Sequence, residues 1–405
     1  MPFLDKLFRR QPTQDQFAKL FIDAARRHGC PDDIGYRTDK FQLLFEDGTH
    51  FELLNAYRDY CNADRAQKPA LLRIHIKALA SARQSAPAQA DGRSQLRPVI
   101  RCRSAIESAR MQLILSHGSD ADFHPVFKPF DEDFVVMLAL EQPESITTLF
   151  QGVPQDWGFT FEESLAISID NLRHSPPDFT PLSPGVYGGA WKDSYHTSRA
   201  LLPDLLKRAQ IRGQPIFMVP VRETLLITGD ADIEGLTNIV LLSHIALEHG
   251  TALSPHMYRY CDAKVERYLP ENDETASLLA TLARRMAKEE YDTQKEALDR
   301  IHTAQNLDIF VADYLFRGAN NPSGGSLSLT SWTRGADCLL PKTDRLALVR
   351  PGATDTMGEV RVVDWAQAST LLGPMLERQD TYPVRYRTRG FPSDSQLAQL
   401  TNLPL

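Results

Sequence analysis

The chain has 405 residues, of which 42% are hydrophobic and 24% charged, with a net charge of −7. At roughly 150 residues per domain, that length predicts two or three domains with real cores. No run of eighteen apolar residues occurs, so no membrane span is expected, and the start MPFLDKLFRR lacks the long apolar core of a signal peptide. Five scattered cysteines without a C-x-x-C pair argue for reduced thiols in a cytoplasm and against a disulfide framework or metal knuckle. Charge is unevenly spread: residues 1–115 carry 19 Lys+Arg against 13 Asp+Glu, whereas 116–270 carry 11 against 21. An acidic centre cannot neutralise phosphates, so nucleic acid is not expected as a partner.

Phe3, Leu4, Leu7 and Phe8 could make one amphipathic turn, too short to hold a membrane surface alone. Thr13 and Gln16 then form a capping box for a helix that should stop near Gly29. Asp47-Gly48 between apolar runs signals a hairpin. Asn55 can cap a short helix, and Pro69 suits the first turn of another. Residues 81–94, rich in Ala, Gln and Ser, read as a flexible linker. A strand over 96–103, a helix over 104–115 and the apolar strand DFVVMLALE follow. Thr160 and Glu163 make a second capping box, and Phe161, Leu165, Ile169 and Leu172 repeat at helical spacing.

In SRALLPDLLKRAQ, Pro203 either kinks a helix or begins it. The segment PIFMVPVRETLLITGD reads as strand, turn, strand, with Pro220 implying an edge strand or a break in the ladder. Asp232 should cap a helix closing at Gly250, with short strands near Met257 and Val265 after it. From Asp273 to about Gln305 the chain is charged and helical, and Arg285 can pair with Glu289. Short strands, an Asn320–Ser326 loop and a helix near 366–376 follow. The elements are not in strict β-α alternation. The expected fold class is therefore α+β, with mixed or antiparallel sheets flanked by helices and a smaller C-terminal α+β domain. The expected layout is an N-terminal α+β region at 1–83, a linker at 84–95, a central domain at 96–270, a connecting helix at 271–305 and a C-terminal domain at 306–405.

Within 130–268, the segments PFDEDFVVMLALEQPESI, TFEESLAISIDNL, SYHTSRALL and MVPVRETLLITGD resemble the YtpQ-like bacterial family, a domain of unknown function. Asn171-Leu172, Tyr195, Ser198-Arg199 and Pro220-Val221-Arg222 sit at the family's pattern positions. The chain departs at Glu223, where the family has Asp, and at Ser168, where Ala is usual. The likeness covers about half the chain. It implies a cytoplasmic bacterial protein but supplies no activity or catalytic residues.

The sharpest constellation is Lys192, Asp193, His196, Ser198, Arg222 and Glu223, with Asp230 nearby. Asp, His and Ser within six residues suggest a nucleophile triad, but triad members come from distant segments and no G-x-S-x-G elbow is present. The structural alternative is that Asp193 and Ser198 cap a helix while Arg222 pairs with Glu223. If they line a pocket, Arg222 and Lys192 would bind a carboxylate or phosphate.

His117, Asp120, Asp122 and His124 are ligand types for zinc or manganese, or else a polar turn. Arg385, Arg387 and Arg389 alternate, as do Arg97, Arg101 and Arg103; each set is an anion-contacting stripe or, preferably, a charged edge strand. His244, His249 and His256 lack metalloprotease spacing, and Gly185, Gly188 and Gly189 fit no phosphate loop, so no cofactor is expected. The leading reading is a non-catalytic module that binds a protein or a small anionic ligand. The alternative is a hydrolase-like enzyme with a pocket around Asp193, His196, Arg222 and Glu223.

Overall fold

The structure is a computed structural model describing residues 11–30, 34–38, 41–45, 50–82, 89–142, 145–173, 179–191, 193–262, 264–318, 325–352 and 358–404. The amphipathic start, Asp47-Gly48, Lys192 and most of the 320–326 loop lie outside these residues. The fold is α+β with antiparallel and mixed sheets.

Helix α1 (Gln14–Arg27) is followed by strands β1 (Ile34–Arg37), β2 (Gln42–Phe45) and β3 (His50–Glu52). Helices α2 (Leu54–Asn62), α3 (Lys68–Ala82) and α4 (Gln89–Gln95) come next. Then come β4 (Leu96–Cys102), α5 (Arg103–His117), β5 (Lys128–Pro129), β6 (Phe134–Gln142), β7 (Ser145–Thr148) and α6 (Phe161–Arg173). The chain continues through β8 (Phe179–Ser183), β9 (Val186–Gly189), a 3₁₀ turn (Thr197–Leu201) and α7 (Pro203–Leu206). Strands β10 (Pro215–Met218) and β11 (Leu226–Gly229) precede α8 (Ile233–Leu247), β12 (Met257–Cys261), β13 (Lys264–Tyr268) and the long α9 (Asp273–Gln305). Strands β14 (Phe310–Val311), β15 (Leu315–Arg317), β16 (Leu327–Thr333), β17 (Cys338–Pro341), β18 (Arg345–Arg350) and β19 (Glu359–Asp364) lead to α10 (Trp365–Leu372). The last elements are β20 (Leu376–Arg378), β21 (Arg385–Thr388) and α11 (Asp394–Leu397).

The chain divides into two compact units, with boundaries that fall inside β4 and β6. One comprises 1–97, 139–149 and 153–171. Its β1-β2-β3 sheet is antiparallel, with Leu43 opposite Phe51, and its core joins Phe17 and Phe21 of α1 to Leu43, Leu53 and Leu79. Thr13 and Gln16 cap α1 reciprocally, as do Thr160 and Glu163 at the start of α6. Leu96, Leu140 and Trp157 form a second cluster. Gly92 of α4 lies under the Trp157 ring, where a Cβ would come within 2.1 Å. Part of the stretch expected as a linker is therefore helix, because a residue without a side chain lets the indole close over the backbone.

The other unit comprises 98–138, 150–152 and 172–405. A six-stranded antiparallel sheet runs β13-β12-β10-β11-β9-β8. Ile216, Met218 and Leu226 of the sheet pack with Leu236, Ile239 and Val240 of α8 and Leu279, Leu282 and Met286 of α9. Asp232 accepts from the Gly235 N–H at 2.9 Å to cap α8, and Asn272 caps α9 from Thr275 N at 3.0 Å. Two four-stranded sheets, β14-β17-β21-β20 and β15-β16-β18-β19, follow, each containing one parallel pair. Their core holds Trp332, Leu340, Leu346, Leu348 and Val363. Met111 of α5 packs with Leu298 and Ile301 of α9.

Two open alternatives are resolved and several local expectations corrected. Strand β10 is interior, paired on both sides, so Pro220 marks a break rather than an edge. The ladder ends at Met218, and the Val219 and Pro220 carbonyls accept instead from Ser254 and Leu253. Regular helix begins at Pro203, whose missing N–H costs nothing in a first turn. Leu53, not Asn55, occupies the N-cap of α2, with no side-chain cap bond. Arg285 and Glu289 make no ion pair with each other among the described residues; Lys288–Asp292 and Lys295–Asp299 take the one-turn spacing. Strand β21 lies between β17 and β20, so the Arg385 run is no edge.

Candidate functional site

The sequence constellation around 192–230 resolves into a buried anchor. Arg199, 1% exposed in the 3₁₀ turn, forks onto Asp193, with Nη1 to Oδ1 at 2.7 Å and Nη2 to Oδ2 at 2.6 Å. Its guanidinium lies 4.3 Å from the Trp191 ring centroid, and the Trp191 ring meets His196 edge-on. The Tyr195 N–H also donates to Asp193. Burial works to raise the Asp193 pKa, but the Arg199 and Tyr195 hydrogen bonds outweigh it and hold the carboxyl below its usual range. Both Asp193 oxygens thus serve Arg199, and no hydrogen bond links His196 to Asp193 or Ser198 among the described residues.

Ser198 is buried, whereas Arg222 and Glu223 are exposed and form no ion pair with each other among the described residues. Neither Asp193 nor Ser198 caps the 3₁₀ turn, whose N-cap is His196, without a side-chain cap bond. Asp230 accepts from Gln214 N. Lys192 lies outside the described residues. Sequence spacing left Arg199 unnoticed as the partner of Asp193; the signal was an arginine six residues after Asp193, with Trp191 two residues before that aspartate.

In the 117–124 segment the four candidate metal ligands are not brought together. Asp120 accepts from Arg110 Nη1 at 2.7 Å, while His117, Asp122 and His124 are exposed. Among the described residues, no three His, Cys, Asp or Glu side chains are grouped to hold a metal. The segment has a different use: Asp120, Phe123, Pro125 and Phe127 form one wall of a cavity of about 270 Å³.

Arg103, Ile106, Glu107 and Arg110 form the second wall, at the i, i+3, i+4 and i+7 spacing that lines one face of α5. Asp380, Thr381 and Tyr382, between β20 and β21, form the third. Arg110 is the frame. Its Nε and Nη2 clasp Glu107 at 2.9 and 2.6 Å, Nη1 holds Asp120, and Nη2 reaches the Asp380 carbonyl at 3.2 Å. One guanidinium therefore ties all three walls, and the Glu107 bond first, then Asp120, raises its pKa further.

Arg103 is different. It is exposed, lies 4.8 Å from the Tyr382 ring centroid, donates to the Glu132 carbonyl at 3.4 Å, and has no carboxylate partner among the described residues. Behind it, Tyr382 Oη donates to Asp133 Oδ1 at 2.8 Å. Asp133 Oδ2 accepts from His256 Nε2 at 2.9 Å and Arg267 Nη2 at 3.0 Å. Burial would raise Asp133, but His256 and Arg267 hold it below the usual carboxylate range. Burial, with the nearby charges of Glu290 and Asp133, raises the Tyr382 phenol, so it stays a proton donor. On α9, burial pushes Glu290 up to about 7 despite a hydrogen bond with Ser104. Aromatic and apolar walls, a charged frame and one guanidinium without a carboxylate partner among the described residues suit the capture of a small anion with an apolar body.

Comparison with protein-family models, with curated proteins and with solved structures gives no match for this chain.

Proposed function

We propose that this chain is a non-catalytic binding protein that takes a small anionic ligand in the cavity between α5, the 120–127 loop and the 380–382 loop. The observation that carries the reading is Arg103: an exposed guanidinium, held over Tyr382 beside Phe123 and Phe127, without a carboxylate of its own. Glu107, Arg110 and Asp120 are consumed in holding the walls together, which suits a preformed site more than a reacting one. The reading includes a cytoplasmic setting, supported by five free cysteines. It also includes kinship with the YtpQ-like family on the segments named above.

Among the described residues, no helix is long and apolar enough to cross a membrane. The test is calorimetric titration with benzoate, benzamide and benzylamine. Benzoate is expected to bind, with benzamide at least tenfold weaker, about 1.4 kcal/mol. Arg103→Gln should abolish that preference without lowering the melting temperature. Equal affinity for benzoate and benzamide, or benzoate binding untouched in the variant, would refute the assignment.

A further inference from the structure

The charges around the cavity divide into those already spent and those left over. Glu107, Arg110 and Asp120 satisfy one another. Thr381 Oγ1 donates to the Pro383 carbonyl and accepts from Arg385 N, and the Tyr382 hydroxyl donates a hydrogen bond to Asp133. Two charged groups remain at the lining: the Arg103 guanidinium and the Asp380 carboxylate. Asp380 is exposed, and its backbone is fixed because its carbonyl accepts from Arg110; its carboxylate makes no ion pair among the described residues. The two opposite charges border one cavity without pairing with each other.

A purely anionic ligand would be attracted by Arg103 and repelled by Asp380, and a purely cationic one the reverse. A ligand carrying both signs satisfies both. The remaining lining is Ile106, Phe123, Pro125, Phe127 and the Tyr382 ring, which asks for an apolar body. A cavity of about 270 Å³ has room for a ligand the size of an amino acid.

We infer that the ligand is a free α-amino acid with an apolar or aromatic side chain, its carboxylate on Arg103 and its ammonium on Asp380. This rests on the cavity's being a ligand site, as proposed above, and adds the cationic half of the recognition.

The test is calorimetric titration of the full chain with L-phenylalanine, L-leucine, 3-phenylpropionate and 2-phenylethylamine. At least one of the amino acids should bind, with both single-charge analogues at least tenfold weaker than phenylalanine or leucine. Asp380→Asn should bring phenylalanine down to the level of 3-phenylpropionate, and Arg103→Gln down to that of 2-phenylethylamine. Both positions are exposed, and unchanged melting temperatures would show that the variants fold. If 3-phenylpropionate binds as tightly as phenylalanine and Asp380→Asn changes nothing, the amino-acid inference is overturned while the anion site stands. If the amino acids, 3-phenylpropionate and benzoate all fail at millimolar concentration, the cavity is not a ligand site and both readings fall.

Discussion

At the scale of single residues, the unit built from 98–138, 150–152 and 172–405 holds two ionisable groups whose surroundings dictate measurable behaviour. Glu290 is pushed from an ordinary value near 4.5 to about 7, chiefly by burial, with Asp133 and Glu289 adding repulsion. A carboxyl raised in the folded state binds its proton more tightly there than when unfolded. Its contribution is complete below about 4.5 and is lost as pH rises through about 7. Asp133, shifted the opposite way, stays ionised across that window and contributes no slope within it. Glu290→Gln should therefore match the parent near pH 4.5 and exceed it at pH 8, by on the order of 1–3 kcal/mol. Denaturation midpoints across that range check this, and parallel curves for the two proteins would contradict it.

Arg385 is the second case. It is fully buried, and it donates to Gln294 Oε1 and to the carbonyls of Ala312, Leu339 and Tyr291 at 2.6 to 3.1 Å. Burial lowers it to about 10, still protonated at neutral pH. Arg385→Met removes four hydrogen bonds and should cost about 3–5 kcal/mol in urea unfolding. Arg385→Lys should recover little, because an ammonium cannot copy the planar fork. A loss below about 1 kcal/mol would mean that the surrounding carbonyls find other donors.

At the scale of elements, helix α8 shows packing overruling propensity. Gly235 in its first turn is a poor helix former, and alanine there would gain about 1 kcal/mol on propensity alone. A Cβ at that position would lie 2.3 Å from Thr228 Oγ1 and 2.9 Å from the Gly185 carbonyl, which Thr228 itself bonds at 2.7 Å. The contact involves backbone on one side and a committed hydroxyl on the other, so neither yields cheaply. Gly235→Ala should destabilise by about 1–3 kcal/mol, read as a lowered denaturation midpoint. A raised midpoint would show that α8 can lift off the hairpin.

Elements of this kind were partly legible. The capping boxes at Thr13 and Thr160, the cap at Asp232 and the charged span of α9 act within one turn of themselves. The status of Pro220 and of the Arg385 strand depended on which strands lie beside them, and no local pattern carries that.

At the scale of the whole molecule, each compact unit is assembled from separated stretches of chain. Met111, Ile114 and Leu115 of α5 complete a cluster with Leu298, Ile301, Val311 and Leu339. A fragment starting at Leu172 lacks α5 and β6 and leaves that surface bare. It should melt broadly and bind a hydrophobic dye, whereas the full chain should not. A sharp cooperative transition in the fragment would show that the later segment is self-sufficient.

The amino-acid pattern alone sufficed for the fold class, for the capped starts of α1, α6 and α8 and for the pairing of β10 with β11 around the Val221 turn, because periodicity, caps and turn residues act over a few positions. It also pointed to Arg103 and Asp120, though in separate motifs and with other uses in view. Folding alone brings these two and Tyr382, more than 250 residues apart at the extremes, to line one cavity. It also decided that Asp193 belongs to Arg199 rather than to His196. The physical reason is the same in both cases. Which charge meets which depends on through-space distance and burial, and chain spacing encodes neither once the partners sit on different elements.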